Sequence, residues 1–195
     1  MVKIGFITEG KSDRTILNSE RFKKYLLHTF EISYCEEDIR YGRGKSGIKT
    51  NFKAYLSSLK KNNVAYIFIM VDQDDKEEQR RNRKYKPKDC PVTVVEEIVG
   101  YRDNKHYLQK NHFFIVMTRE MEAWFLADPN LGFYCMGKQP EEILNPSDLV
   151  AKQLGVSSHG LIAQRLKDKF SLERAAKNAP SARRFLNKLK NISLL

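Results

Sequence analysis

The stretch KIGFITEGKSD, residues 3–13, supports two incompatible interpretations. Gly5, Gly10, Lys11 and Ser12 match the phosphate-binding pattern G-x-x-x-x-G-K-[ST]. The same stretch also fits a short buried strand over residues 3–8, followed directly by the carboxylate of Glu9. The two interpretations imply different folds and different chemistry, so the choice between them comes first.

The phosphate-loop interpretation conflicts with the residues inside it. Such a loop needs flexible backbone amides around the anion, whereas residues 6–8 (Phe, Ile, Thr) are strand-forming types. Glu9 would add a repulsion of about 4 kcal/mol at 4 Å and an effective dielectric constant of 20. A second fragment, residues 44–46 (GKS), has Ile39 where the pattern requires a glycine. We therefore expect a strand at residues 3–8 and no phosphate loop.

Apolar spacing predicts the elements that follow this strand. Ser12 is a good N-cap residue, and helical periodicity predicts a helix over residues 13–29. A weak strand is predicted around residues 32–34 or 39–41. An apolar stripe from Ile48 to Leu59 predicts an amphipathic helix. The run VAYIFIMV, residues 64–71, is typical of a central strand that is covered on both faces.

The second half of the chain continues the alternation and then becomes helical. Residues 92–108 suit either a strand or a helix, and residues 112–117 predict another buried strand. A short helix follows, with Trp124 expected in the core, and only helical patterns appear from Pro140 onward. This order predicts an α/β fold with a mostly parallel sheet of about four strands flanked by helices. We expect an α/β domain over residues 1–139 and a helical C-terminal extension, residues 140–195, packed on it.

The composition of the chain indicates which partners and which cellular location to expect. The chain has 195 residues and a net charge of +11, which favours a polyanionic partner such as DNA or RNA, although a basic surface alone explains the charge equally well. The three cysteines lie far apart, which argues against a zinc site and a disulfide framework. No apolar run reaches the length of a membrane span, and the N-terminus lacks a signal-peptide pattern. We expect a cytoplasmic protein without a membrane partner.

Acidic residues follow two of the predicted strands. Glu9 comes directly after the first, and Asp72 and Asp74 come directly after residues 64–71. Ligands of parallel α/β sheets bind at the carboxyl ends of the strands, so these carboxylates converge if the two strands are neighbours. Side chains alternate along extended chain, so Asp72 and Asp74 point the same way. Crowded carboxylates repel one another without a cation, and oxygen ligands suit Mg²⁺ or Mn²⁺.

At these residues the chain resembles the Toprim domain superfamily. EGKSD, residues 9–13, and VDQD, residues 71–74, resemble its two signatures, which topoisomerases, primases and nucleases of the overcoming-lysogenization-defect type share. The first signature is closest to the form in those nucleases. EMEAWFLAD, residues 120–128, resembles small single-domain bacterial Toprim-like proteins of uncharacterised function, which are often suspected of acting in phage defence beside a separate ATPase. The resemblance covers roughly residues 3–128.

The resemblance implies a role for each matching residue. It implies metal ligands at Glu9, Asp13, Asp72, Asp74 and Glu122. Asp13 would help to hold a second metal ion, although an acid in the first turn of a helix is favoured by the helix dipole in any case. We expect Glu120 to be a weaker candidate than Glu122, because residues at i and i+2 of a helix cannot both face one site.

These assignments predict a metal-dependent nuclease in which Glu9 takes a proton from the attacking water. Lys11 and Arg119 are candidates for stabilising charge at the phosphate, and we choose Lys11. A basic run after Asp74 is expected to follow a phosphate backbone, although a solvated loop explains it equally well: Arg80, Arg81, Arg83, Lys84 and Lys86. The alternative function is a non-catalytic module that binds metal or nucleic acid and acts through a partner protein.

Overall fold

The computed structural model describes residues 1–73, 91–135, 137–156 and 158–193 of the chain. Five parallel strands form its sheet: β1 Val2–Thr8, β2 Ile32–Ser33, β3 Ile39–Tyr41, β4 Tyr66–Gln73 and β5 His112–Thr118. β4 lies between β1 and β5. β2 pairs with the first residues of β1 and β3 with its last, so two short strands share one flank of β1. The predicted parallel α/β sheet is confirmed, and both candidate weak strands are present.

Helices flank the sheet and make up the C-terminal region. They are α1 Lys11–Leu17, α2 Glu20–Phe30, α3 Lys45–Lys61, α4 Pro91–Val99, α5 Met121–Ala127, α6 Pro146–Leu154, α7 His159–Leu166, α8 Leu172–Asn178 and α9 Pro180–Ser193. Short 3-10 turns occupy Glu36–Asp38, Tyr101–Tyr107, Pro129–Leu131 and Pro140–Glu142. None of the helices among the described residues is long and apolar enough to cross a membrane.

The two faces of the sheet bury separate cores. On one face, Phe68 and Met70 of β4 pack with residues of α1, α2, α5 and α9. On the other face, Ile69 and its neighbours pack against α3 and α4. β4 is thus apolar on both sides, which explains the continuous apolar run over residues 64–71.

The C-terminal helices complete the first of these cores. The ring centroid of Phe185 in α9 lies 5.5 Å from that of Phe68 and 5.9 Å from that of Trp124. Trp124 is buried, as expected, and its indole nitrogen donates a hydrogen bond of 2.6 Å to the hydroxyl of Ser181. Residues on either side of position 140 therefore belong to one continuous apolar cluster.

Two local predictions near the N-terminus are wrong. The predicted helix over residues 13–29 is broken into α1 and α2, because Ser19 stops the first helix and caps the second by accepting a hydrogen bond from the amide of Phe22 at 3.2 Å. Ser12 is not the N-cap of α1, since the helix begins at Lys11 and Gly10 occupies the cap position. The ambiguous stretch, residues 92–108, contains no strand: it overlaps α4 and continues into the 3-10 turns of Tyr101–Tyr107.

The expectation that residues 5–12 form no phosphate loop is confirmed. Residues 5–8 lie inside β1 and pair with β4. A β-carbon added at Gly5 would lie 2.9 Å from a methyl group of Leu59, so this glycine lets α3 pack closely on the sheet.

Candidate functional site

The carboxylate of Glu9 meets β4 at the carboxyl end of the sheet. Its Oε2 accepts a hydrogen bond from the backbone amide of Asp72 at 3.0 Å. The amide of Glu9 donates to the carbonyl of Met70 at 3.1 Å, which extends the pairing of β1 with β4 by one residue. Glu9 and Asp72 are 63 positions apart in the chain, and the adjacency of their strands brings them together.

Asp72 points towards the face of the sheet that α1 and α5 cover. Side chains alternate along a strand, so Asp72 shares this face with Met70, and Thr8 shares it with Phe6. Asp72 lies within β4, whose last residue is Gln73, rather than after the strand as the sequence suggested.

Asp13 reaches the same region from the first turn of α1. It is buried, and its Oδ2 accepts a hydrogen bond from the amide of Gly10 at 2.9 Å. This bond satisfies an amide at the start of α1, so Asp13 also has a structural role.

Glu122 joins α5 to α1. It lies buried in the first turn of α5, and its Oε1 accepts a hydrogen bond of 2.7 Å from the hydroxyl of Ser12. Ser12, expected as a helix cap, thus holds a carboxylate 110 positions away in the sequence.

The helical spacing argument that ranked Glu120 below Glu122 does not hold in the structure. Glu120 precedes α5 in extended backbone, with φ −162° and ψ 172°, so the helical spacing argument does not apply to it. It is buried, and its Oε1 accepts a hydrogen bond of 2.8 Å from the amide of Ser147 in the first turn of α6. The preceding residue, Arg119, has a left-handed backbone with φ 71°, an uncommon conformation for a residue with a side chain. That turn redirects the chain after β5, and nothing in the residue types around it signals the change.

Electrostatic coupling joins these side chains into one acidic cluster, defined as Glu9, Asp13, Asp72, Glu120 and Glu122. Burial raises the pKa of Asp13 to about 7, with further contributions from the charges of Glu9 and Glu120 and an opposing one from the Gly10 hydrogen bond. Burial, together with the charge of Glu120, raises the pKa of Glu122 to about 8. Burial and the charges of the other four members hold the pKa of Asp72 well above its usual range.

At the ends of β1 and β4, one buried polar atom of each strand lacks a hydrogen-bond partner among the described residues. They are Oδ1 of Asp72 and the hydroxyl oxygen of Thr8, the last residue of β1. An unsatisfied buried polar atom costs about 1–3 kcal/mol, and more when the group is charged. A divalent cation with oxygen ligands would compensate the carboxylate, so the chemistry of the cluster fits Mg²⁺ or Mn²⁺.

The described part of the chain does not by itself form a closed ligand shell. In residues 1–73, 91–135, 137–156 and 158–193, no group of three or more His, Cys, Asp or Glu side chains is arranged to hold a metal ion. The predicted ligand Asp74 lies outside the described residues. So does the predicted phosphate-binding run: Arg80, Arg81, Arg83, Lys84 and Lys86.

Lys11 lies beside α7. A β-carbon added at Gly160 would be 3.5 Å from the Nζ atom of Lys11, so the ammonium group sits against the start of that helix. The other candidate, Arg119, has its Nε atom buried at the turn between β5 and α5.

The start of α3 also lies next to Glu9, which the sequence argument missed when it set aside the GKS fragment. The amide of Gly44 donates to the carbonyl of Glu9 at 3.0 Å, and the amide of Gly42 donates to the carbonyl of Thr8 at 2.8 Å. Arg43 and Lys45 therefore stand at a helix N-terminus near the acidic cluster. The signal that could have revealed it is a glycine-rich, basic turn placed directly before a long helix.

The fold and the cluster define a class of protein: a parallel α/β protein with carboxylates gathered at the carboxyl edge of its sheet. The chain belongs to the family described as Domain of unknown function (DUF4276), whose model matches residues 8–190. The match includes every member of the acidic cluster and most of α9. The chain matched none of the curated proteins and none of the solved structures with which it was compared.

Proposed function

We propose that the chain hydrolyses phosphodiester bonds in nucleic acid with a divalent metal ion, as a member of the Toprim-like nucleases that it resembles. The observation that carries this proposal is the 3.0 Å hydrogen bond from the Asp72 amide to Glu9. This bond joins the carboxyl ends of β1 and β4, where the two Toprim-like signatures, residues 9–13 and 71–74, begin. The buried Oδ1 of Asp72, which has no hydrogen-bond partner among the described residues, supports the proposal, because a bound cation would compensate such an atom.

The cation would be held by Asp72 and Glu9, and Asp74, which lies outside the described residues, would be the third carboxylate ligand. Asp13 and Glu120 already accept hydrogen bonds from the starts of α1 and α6, so their main role would be to position these helices around the site. Bound cations favour the charged forms of neighbouring carboxylates, which would reverse the raised pKa values of the cluster.

When bound, Mg²⁺ or Mn²⁺ polarises the phosphodiester and lowers the pKa of a water molecule. Glu9 accepts the proton as the water oxygen bonds to phosphorus and the bond to the leaving oxygen breaks. The backbone amide of Asp72 holds the Glu9 carboxylate for this role. The N-terminus of α3, with Arg43 and Lys45, faces developing negative charge on the phosphate, and Lys11 is a further cation for the same purpose.

One observation favours a second candidate function. Asp13, Glu120 and Glu122 all accept hydrogen bonds from other parts of the protein, as expected of carboxylates with a structural role. In the second candidate, the chain is a non-catalytic module that binds metal or nucleic acid and acts through a partner protein.

In either case, coupling to ATP would require a separate ATPase, since the segment with the phosphate-loop pattern forms a strand and a helix. Phage defence in the cytoplasm is the biological setting that the resemblance suggests.

A cleavage assay with a matched variant tests the proposal. Purified protein is incubated with labelled single-stranded and double-stranded DNA and RNA in Mg²⁺ or Mn²⁺. We expect cleavage by the wild type, a loss of about 100-fold or more in Asp72→Asn, and no cleavage in EDTA. Asp103→Asn, which changes an exposed aspartate in the turn before β5, is the control and should cleave normally.

Three results would count against hydrolysis by this site. Cleavage that persists in EDTA excludes the metal-dependent mechanism, and cleavage that survives Asp72→Asn places the activity elsewhere. If the wild type binds labelled nucleic acid in these assays but does not cleave it, the second candidate function, a non-catalytic binding module, is favoured.

A further inference from the structure

A cavity lies at the opposite end of the sheet from the acidic cluster. It has a volume of about 390 Å³ and is lined by residues of α3, of the loop before β4 and of the segment that leads into β5. Leu56, Val64 and Ile67 give it an apolar floor. Ile67 and Asp72 are five positions apart in β4, so roughly 16 Å of extended strand separates the cavity from the cluster.

The wall that α3 contributes is basic. Lys53, Ser57 and Lys60 stand at positions i, i+4 and i+7, which places them on one face of the helix. The Nζ atom of Lys53 lies 5.1 Å from the centroid of the Tyr107 ring, within the range of a cation–π contact. The described residues that line the cavity include no acidic side chain, so its electrostatic preference is for an anion.

The remaining wall contains side chains that can form hydrogen bonds. The amide of Gln109 donates to Nδ1 of His112 at 3.1 Å. Burial lowers the pKa of His112, so the imidazole is neutral near pH 7 and carries its proton on Nε2. The ring therefore carries one N–H group, and His106 and Asn111 also line this wall. The side-chain amide nitrogen of Asn111 already donates to the carbonyl of Ala65 at 2.6 Å.

We infer that this cavity binds a nucleoside phosphate. The phosphate would lie between Lys53 and Lys60, and the base would lie on the apolar floor beside Tyr107. Its volume is within the range of small-molecule sites, and an apolar floor with a few convergent polar groups is their usual composition. A free mononucleotide and the end of a nucleic acid strand present this same chemistry. The inference does not depend on the proposed hydrolysis, since none of these residues belongs to the acidic cluster.

Calorimetric titration of the whole protein tests the inference. AMP, inorganic phosphate and a 5′-phosphorylated dinucleotide are titrated separately at low salt in EDTA, so that a metal ion in the acidic cluster cannot contribute. We expect saturable binding of AMP at one site and binding of phosphate that is weaker by about tenfold or more. Equal affinity for AMP and the dinucleotide identifies a free nucleotide as the ligand. Tighter binding of the dinucleotide identifies a strand end.

Variants locate the binding. The double substitution Lys53→Ala and Lys60→Ala should weaken AMP binding by about tenfold or more, whereas Lys61→Ala, the adjacent exposed lysine of α3, should bind like the wild type. Ser57→Trp fills the cavity from an exposed helix position and keeps both lysines, so it should abolish binding without unfolding the protein. The inference is overturned if AMP does not bind at about 1 mM, if phosphate binds equally well, or if Ser57→Trp binds AMP normally.

Discussion

Asp72 differs from Asp13, Glu120 and Glu122 of the acidic cluster in the hydrogen bonds that its carboxylate accepts. Asp13 and Glu120 accept hydrogen bonds from amides at helix starts, and Glu122 accepts one from Ser12. The Oδ1 atom of Asp72 is buried without a partner among the described residues. Substitution of the first three therefore changes the structure as well as any chemistry, whereas Asp72 is the position at which chemistry can be tested most directly.

Glu122 should make the metal-free protein sensitive to pH. Its pKa is raised from 4.5 to about 8, so the folded state binds more protons than the unfolded state between these values. The free energy of unfolding therefore falls as pH rises from about 5 to about 8. Glu122→Gln keeps an acceptor for Ser12 but removes the charge. In EDTA, it should gain on the order of 1–3 kcal/mol relative to the wild type between pH 5 and pH 8.

Urea denaturation at the two pH values measures this difference. Glu96→Gln, which changes an exposed glutamate of α4, is the matched control and should track the wild type at both. A stability difference between wild type and Glu122→Gln that is the same at pH 5 and pH 8 would show that folding does not raise the pKa of Glu122.

The junction of β3 with α3 shows how one element is held against another. A β-carbon added at Gly47 would lie 1.8 Å from the carbonyl oxygen of Gly42, and one added at Gly42 would lie 2.3 Å from the side chain of Ile48. Both glycines are therefore required for the start of α3 to fold back over the end of β3. This packing also brings the amide of Gly44 to the carbonyl of Glu9.

Gly47→Ala distinguishes this packing from helix propensity. Alanine in place of a helical glycine normally stabilises a helix by about 1 kcal/mol. Here the clash is with backbone, so we expect the free energy of unfolding to fall by about 1–3 kcal/mol instead. Chemical denaturation checks the sign, with Ser46→Ala at the adjacent exposed position as control. A stabilised Gly47→Ala protein would contradict the close approach.

Across the whole molecule, an ion pair joins the C-terminal helices to the end of α5, in addition to the core that they share with the sheet. Asp128, which follows α5, is fully buried and accepts two hydrogen bonds from the guanidinium of Arg174 in α8, at 2.6 and 2.8 Å. The amide of Ser171 donates to the same carboxylate at 2.8 Å. Separation of the two regions would expose the core around Phe185 and leave the Asp128 charge without its partner.

Arg174→Ala should lower the free energy of unfolding by about 3–5 kcal/mol, because it leaves a buried charge unpaired. The transition should remain a single cooperative one by circular dichroism and by Trp124 fluorescence, since both regions share one core. Arg184→Ala, on the exposed side of α9, should have little effect. A separate early transition of the C-terminal helices would contradict this account.

Local patterns of residues predict many of the strands and helices of the fold. The apolar run at residues 64–71 indicated a strand covered on both faces, and β4 is buried against two cores. The positions of Glu9 and Asp72 at strand ends followed from the same patterns. The break between α1 and α2 was missed because apolar periodicity continues across Ser19, and only the capping bond to Phe22 reveals the stop.

Periodicity and residue type therefore specified which segments are strands, which are helices and which faces are apolar, because these depend on neighbours a few positions away. Which acids come together was decided by the order of the strands and by one left-handed residue. β4 lies between β1 and β5, so Glu9, Asp72 and Glu122 share one edge, and the turn at Arg119 adds Glu120 to them. Strand order and side-chain burial depend on contacts between distant parts of the chain, and no local pattern encodes them.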